Sequence, residues 1–139
     1  MRTLLSGALI LLVCACARAD SVRFRPIDVY VDSGKEPLAA YQVEITATNA
    51  RIAGVEGGET GAFADPPHYD PAALQGGRII LAAFNTGIDL PRGRTRVATL
   101  HMEEDGAAEY QIRITAAATA DGKRIQAKAS LEPRQGDLR

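Results

Sequence analysis

The side chains best suited to chemistry in this 139-residue chain lie in one segment, Asp65-Pro-Pro-His-Tyr-Asp-Pro71. Asp65, His68 and Asp70 offer carboxylate oxygens and an imidazole, which are metal-ligand types. Zinc favours more nitrogen or sulfur donors than this segment holds, and calcium favours more oxygens. Turn and helix-cap roles account for the two aspartates without a metal. We therefore expect neither a metal nor another cofactor.

Catalytic constellations are weakly represented. The Glu103-Glu104-Asp105 cluster resembles a pair of catalytic carboxylates, but an acidic hairpin tip explains it as well. His101 lies in an alternating segment and is expected to face solvent or the other layer. None of the serines after residue 19, Ser21, Ser33 and Ser130, lies in a Gly-x-Ser-x-Gly elbow. The sequence predicts no catalytic residue, and a small hydrolase is the weakest of the functions considered.

Sugar binding would require flat, exposed aromatic platforms. Aromatic residues make up 5% of the chain and tryptophan is absent, which disfavours a carbohydrate-binding module without excluding it. The candidate rings are Tyr30, Tyr41, Phe63 and Tyr69. A second polar feature, the series Arg92, Arg94 and Arg96, is suited either to an acidic partner or to a solvated strand edge that resists pairing.

The longest irregular stretch, residues 59–77, is the expected binding loop. It contains three prolines and has no sustained hydrophobic period. Loops of this length in small domains are usually functional or mobile. Phe63, His68 and Tyr69 are the binding residues that it predicts, with the two rings as anchors. The alternative is that both rings fold back as a lid on the core. Within this loop, Asp70 and Pro71 predict the start of one helical turn.

The elements that must position these residues are short strands. Tyr41, Val43, Ile45 and Ala47 alternate with polar residues, which is the period of a half-buried strand. Similar patterns predict strands over 22–31, 52–55, 78–84, 95–103, 110–118 and 125–131. Pro26 predicts a kink or bulge in the first of them. Hairpins are predicted at Glu104-Asp-Gly106 and at Asp121-Gly122.

These strands predict an all-β fold, a single antiparallel β-sandwich. The returning face of the last strand should be formed by Ile125, Ala127, Ala129 and Leu131. Tyr110, Ile112 and Ile114 should share a core face with Ala116 and Ala118.

The N-terminus has the order of a signal peptide. A positive start is followed by the apolar run Leu4–Val13 and by Ala17-Arg-Ala19, a pattern typical of signal-peptidase sites. We expect a signal peptide over 1–19, the sandwich over 20–133 and a disordered tail over 134–139. Val13-Cys-Ala-Cys16 also resembles a bacterial lipobox, so that lipid attachment at Cys16 is the alternative.

The mature chain is predicted to be periplasmic or secreted, without a transmembrane span. Both cysteines lie before residue 20, so no disulfide is expected in the domain. Removing residues 1–19 takes away Arg2 and Arg18 and no acid, so that the 16 basic residues fall to 14 against 17 acidic ones, a net charge of −3. This balance argues against a nucleic-acid partner.

Several segments together resemble cohesin modules, which are jelly-roll sandwiches related to some carbohydrate-binding domains. These segments are Val29-Tyr-Val31, Leu38-Ala-Ala-Tyr41-Gln-Val43, Ile52-Ala-Gly-Val55-Glu-Gly57, Arg78–Phe84, and Pro91-Arg-Gly93 ahead of Val97-Ala-Thr-Leu100. The resemblance spans roughly residues 22–131. It implies non-catalytic binding, since cohesins bind calcium-loaded dockerin modules through one sheet face and relatives bind polysaccharide. The Phe63–Gly77 insertion departs from the pattern. The expected partner is another envelope or extracellular protein, with polysaccharide as the alternative.

Overall fold

The computed structural model describes residues 21–59 and 61–134. The described chain forms one five-stranded antiparallel sheet in the order β3-β2-β4-β1-β5. The strands are β1 (Arg23–Asp32), β2 (Ala40–Gly57), β3 (Arg78–Phe84), β4 (Arg94–Ala118) and β5 (Lys128–Pro133), and one 3-10 turn covers Pro71–Ala73. The all-β antiparallel prediction is confirmed.

The sheet folds over itself into a two-layer sandwich because β2 and β4 are long enough to run through both layers. The first layer contains β3, residues 40–48 of β2 and residues 109–118 of β4. The second layer contains residues 50–57 of β2, residues 94–104 of β4, and strands β1 and β5. The Tyr41 hydroxyl reaches across the core, donating to the Val97 carbonyl over 3.4 Å.

The two long strands bend together where the layers meet. Asn49 in β2 has a φ of 57° and Gly106 in β4 has a φ of 79°, a left-handed conformation that strands normally avoid. The Asn49 side-chain amide donates to the Ala107 carbonyl over 3.0 Å and ties the bends to each other. The prediction of a hairpin at Glu104-Asp-Gly106 was therefore wrong, because β4 bends there instead of reversing. The separate strands expected at 38–47 and 52–55 are likewise one continuous strand.

The core between the layers follows the predicted alternation. Tyr41, Val43 and Ile45 are buried, and they lie opposite buried residues of β1 and β4. Ile112 and Ile114 face the core but stay partly exposed. Beyond them the parity shifts, because the β2–β4 register slips between Gln42 and Val43. Ala117 is consequently buried in place of Ala116 and Ala118.

Two further predictions concern turns and kinks. The hairpin expected at Asp121-Gly122 forms only as a turn, with Thr119 N–H donating to the Lys123 carbonyl over 2.9 Å and a single bridge between Ala118 and Arg124. Strand β5 then leaves this turn and pairs with β1. The β1–β4 register runs unbroken through Pro26, where a kink or bulge was expected, and it slips instead between Val29 and Tyr30. The Pro26 carbonyl accepts from the Arg134 N–H, just past the end of β5. Proline is tolerated at this position because the N–H that it lacks would point to the same side, where β5 has already ended.

A buried carboxylate closes one end of the core. The Glu104 side chain is 2% exposed. It accepts from Arg23 over 2.9 Å and from the Tyr110 hydroxyl over 2.8 Å, with the Arg25 guanidinium 3.4 Å away. Burial raises the pKa of Tyr110, and its bond to Glu104 raises it further, so that the phenol remains a donor. Glu104 therefore has a structural role rather than one at a hairpin tip.

The predicted signal peptide, the lipobox cysteine Cys16 and most of the expected tail lie outside the described residues. Arg134, the first residue of that expected tail, is held in place by two hydrogen bonds to Asp28. Within the described part of the chain, no helix is long and apolar enough to cross a bilayer.

Candidate functional site

The loop that was expected to bind a partner is fixed to the sandwich by close backbone approaches. A Cβ atom on Gly57 would lie 1.8 Å from the Ala64 carbonyl oxygen, and one on Gly58 would lie 2.1 Å from the Arg96 carbonyl oxygen. The Gly58 N–H donates to the Phe63 carbonyl over 2.8 Å. The glycine pair at the end of β2 thus lets the loop pack directly on strand backbone.

Phe63 is a core residue. Its side chain is 4% exposed, and its ring packs edge-on against Tyr41 with the centroids 5.3 Å apart. Phe63 is therefore a lid residue, which was the alternative to a binding role. Its ring holds the loop on the core and offers no surface to a partner.

His68, Tyr69 and Asp70 run beside the outer edge of β3. The backbone of His68 exchanges two hydrogen bonds with that of Ala82, of 2.8 and 3.0 Å. His68 is nevertheless exposed to solvent. Tyr69 packs partly against the core. The Asp70 side chain accepts from the Ala72 N–H over 2.9 Å, as a helix N-cap does. Among the described residues, no group of three or more His, Cys, Asp or Glu side chains is arranged to hold a metal.

A shallow apolar groove of about 410 Å³ lies on the outer face of the first layer. Most of its floor is formed by two rows of residues that cross β3, β2 and β4, and each row contains one residue from each strand. Phe84, Ala40 and Ala118 make one row, and Ala82, Gln42 and Ala116 make the next. Phe84 is 72% exposed, and His68 also lines the groove. Small side chains in the middle and a large ring at one edge produce the concave shape.

The same face becomes charged in the next two rows, towards the bend. Ile80, Glu44 and Arg113 form one row, with Arg78 alongside in the following row. Glu44 accepts from Arg78 over 2.7 Å and lies 3.4 Å from Arg113. The hydrogen bond from Arg78 is the main cause that lowers the pKa of Glu44. One carboxylate thus serves two exposed guanidinium groups, and Glu109 lies on the same face one row beyond.

The outer face of the second layer is polar and internally satisfied. Arg134 donates to both oxygens of Asp28, over 2.9 and 2.7 Å, and Thr99 donates to Asp28 over 2.8 Å. Arg96 donates to the Thr99 hydroxyl over 3.0 Å. Burial raises the pKa of Asp28, but these hydrogen bonds and the arginine charges outweigh it, so that the net pKa lies below its usual value.

The other predicted polar residues of this face also have partners within the chain. Arg92 donates to the Lys35 carbonyl, and Arg94 pairs with Glu132 and stacks on Tyr30, 3.5 Å from the ring centroid. The arginine series therefore lies in a loop and a central strand, and it does not form the solvated strand edge that was expected. Since these arginines are already bonded within the chain, they do not form a free site for an acidic partner either.

Candidate catalytic groups do not converge. His101 Nε2 lies 3.2 Å from Glu56 on an open face, and Ser33 Oγ donates to the Glu36 carbonyl over 2.8 Å. The two most buried carboxylates, Glu104 and Asp28, are already bound by arginines, and neither lines a described cavity of the molecule. Both carboxylates are therefore engaged in ion pairs.

The groove was missed at the sequence level. Its six alanines, at positions 40, 82, 83, 116, 117 and 118, come from three strands, and alanine carries little information about exposure. Phe84 ends a continuous apolar run, and nothing in that run distinguishes its exposed ring from the buried side chains before it. The exposed positions Ile80 and Phe84 alternate with Ile79 and Leu81, a period that the continuous apolar run concealed.

Comparison with solved structures finds a cohesin-like fold. The chain is similar to a non-cellulosomal cohesin from the hyperthermophilic archaeon Archaeoglobus fulgidus, with a TM-score of 0.55 and 12% sequence identity. The match covers 74% of this chain and 72% of the cohesin. The sequence matches no protein-family model, and no curated protein matches it. The predicted resemblance to cohesins is thus confirmed at the level of the fold.

Proposed function

We propose that this chain is a secreted or periplasmic, non-catalytic module that binds another protein through the outer face of its first layer. The observation that carries the proposal is the exposed apolar groove around Phe84, bordered by the charged row of Glu44 and Arg113. Protein interfaces combine a desolvated apolar centre with a polar rim. This face offers both on a rigid three-stranded scaffold.

Charge suggests the chemistry of the partner. Arg78 and Arg113 share one carboxylate, so an acidic group on the partner would find a guanidinium donor beside the apolar groove. His68, which the sequence offered as a binding residue, lines the groove and is included in this proposed site, and Tyr69 supports the loop behind it. The cohesin-like fold supports a binding role, and residues 1–19 support export.

A carbohydrate ligand is less well supported by the geometry. Two strongly exposed phenylalanines occur among the described residues, Phe84 in the first layer and Phe24 in the second. Tyr30 is covered by Arg94, and Tyr41 is buried. Stacking along a sugar chain would require several coplanar rings on one face.

Site-specific photocrosslinking in the native cell envelope tests the proposal. A photoreactive phenylalanine at position 84 should give a discrete protein adduct, and the same residue at Phe24, equally exposed on the other layer, should not. Ala116→Arg, which fills the groove, should abolish the adduct while the thermal melt stays unchanged. Adducts at Phe24 but not at Phe84 would contradict the proposal, and adducts with polysaccharide would favour the carbohydrate module.

Tyr69→Ala separates loop support from direct contact. Because Tyr69 packs partly on the core, we expect a lower melting temperature with retained adducts at Phe84. If the Phe84 adducts were lost while the thermal melt stayed unchanged, Tyr69 would instead contact the partner directly, as expected for the binding loop.

A further inference from the structure

One sheet edge of this molecule is left without the protection that the other edges have. The outer edge of β3 is paired at Ala82 by the backbone of His68. The outer edge of β5 is short and is bounded by Lys128 and Pro133, residues that discourage pairing. The outer edge of β2 in the second layer is paired at Ile52 by the backbone of Gln75 and Gly76. The fourth edge arises because β4 is central in the second layer but terminal in the first layer, where its only strand partner among the described residues is β2.

The open part of this edge is defined at both ends. At one end β1 starts opposite Glu104, and at the other the Ile125 N–H donates to the Ala117 carbonyl over 3.0 Å. Gln126 and Ala127 border Ile114 and Thr115 across a small cavity. The open part is therefore Glu109-Tyr-Gln-Ile-Arg113, which contains neither proline, glycine nor lysine. Its β-branched and aromatic residues favour strand pairing. An extended edge with these features is a template for another strand.

Backbone N–H and C=O groups point to alternate sides along a strand, and this alternation shows which groups of β4 can pair with another strand. The Ala47 N–H donates to Gly77 on the β3 side, so that Thr46 and Glu44 face β4. Their partners in the register are Gln111 and Arg113, whose backbone groups are therefore used within the layer. By the same alternation, the backbone groups of Tyr110 and Ile112 face the open edge.

We propose that this edge of β4 pairs antiparallel with the same edge of a second copy of the chain. With the two-fold axis at Gln111, Tyr110 and Ile112 exchange backbone hydrogen bonds between copies, and Glu109 of each copy lies opposite Arg113 of the other. The edge is self-complementary in charge only because these two residues have opposite signs and are equidistant from Gln111. Glu109 has no ion pair within residues 21–59 and 61–134, and the Arg113 side chain, 69% exposed, shares Glu44 with Arg78.

The resulting dimer has a functional consequence. The two-fold axis is perpendicular to the sheet, and the two first layers join into one six-stranded layer with both apolar grooves on the same face. A partner with two binding segments would then be held bivalently, which raises its overall affinity. The pairing itself does not depend on the proposed function, since it rests on the edge and not on the groove.

Sedimentation of the full chain over a range of concentrations tests the pairing directly. We expect a monomer–dimer equilibrium whose dissociation constant rises about tenfold in Glu109→Arg, because like charges then face each other at two symmetric places. The charge-swapped double variant Glu109→Arg/Arg113→Glu should restore dimerisation. Asp89→Arg, the same change of charge in an exposed loop, serves as the control.

A cysteine scan tests the register independently. In a background with Cys14→Ser and Cys16→Ser, Gln111→Cys should form an interchain disulfide, because residues in a non-hydrogen-bonded pair have Cα atoms about 4.5 Å apart. Arg113→Cys should not, because its symmetry mate lies roughly 14 Å away along the strand. A wild-type chain that stays monomeric, a dimer unaffected by Glu109→Arg, or crosslinking at position 113 but not at 111 would overturn the proposal.

Discussion

Replacing Phe63 with alanine tests whether the loop is part of the core. The ring is 4% exposed and packs against Tyr41, so that its removal leaves a cavity between the loop and the two layers. Phe→Ala changes at such sites cost about 3–5 kcal/mol, which includes about 0.5–1.5 kcal/mol for a lost aromatic pair. Since domains are stable by only about 5–15 kcal/mol, this one change should remove a large fraction of the folding free energy.

Urea denaturation with linear extrapolation measures that loss. We expect the midpoint to fall sharply while the slope stays constant, as it does when the native and unfolded states keep their exposed areas. Phe24→Ala removes the same ring at a position that is 70% exposed and should change stability by no more than about 0.5 kcal/mol. Phe63→Leu, which refills most of the cavity, should cost less than about 1.5 kcal/mol.

The reasoning would be refuted if Phe63→Ala and Phe24→Ala were equally stable. It would also be refuted if Phe63→Ala kept its stability and lost partner binding, because the ring would then be a contact anchor and not a lid.

Three further changes follow from the same structure. Gly57→Ala should cost about 3 kcal/mol, the upper end for overpacked sites, because its Cβ would meet the Ala64 carbonyl, whereas Gly54→Ala, with open space around it, should be nearly neutral in the same melts. Asp28→Asn should destabilise the domain at neutral pH. Because folding lowers the pKa of Asp28, the stability that its carboxylate adds is present above about pH 4 and is lost as the pH falls through the folded pKa. The difference in melting temperature between wild type and variant should therefore narrow in acid, and a constant difference would contradict the argument. Millimolar calcium or zinc should leave the melting temperature unchanged, and a rise that disappears in Asp70→Ala would establish a metal site.

Strand positions were predictable because they depend on local patterns. The alternation of Tyr41, Val43 and Ile45 with polar residues records one buried face, and the turn at Asp121-Gly122 records a backbone requirement of its own residues. The N-cap at Asp70 is equally local, since the carboxylate needs only the N–H two residues ahead. For such features the physical cause lies within a few residues of the effect.

The segment Glu104-Asp-Gly106 shows where local patterns fail. Its turn residues fit either a hairpin or a bend, and the choice depends on β2, which bends at Asn49 and holds Ala107 alongside it. The acidic residues were uninformative for the same reason, because the arginines that bury Glu104 come from a strand about 80 residues earlier.

The sequence by itself determined that this is an all-β domain, because hydrophobic period and turn chemistry are properties of neighbouring residues. The tertiary structure alone decided that Phe63 packs inside while Phe84 is exposed, since each ring's environment is built from strands distant in sequence. It also decided that six alanines from three strands line one groove and that β4 has a free edge in one layer only. Both follow from the register of long, bent strands, which a one-dimensional pattern does not encode.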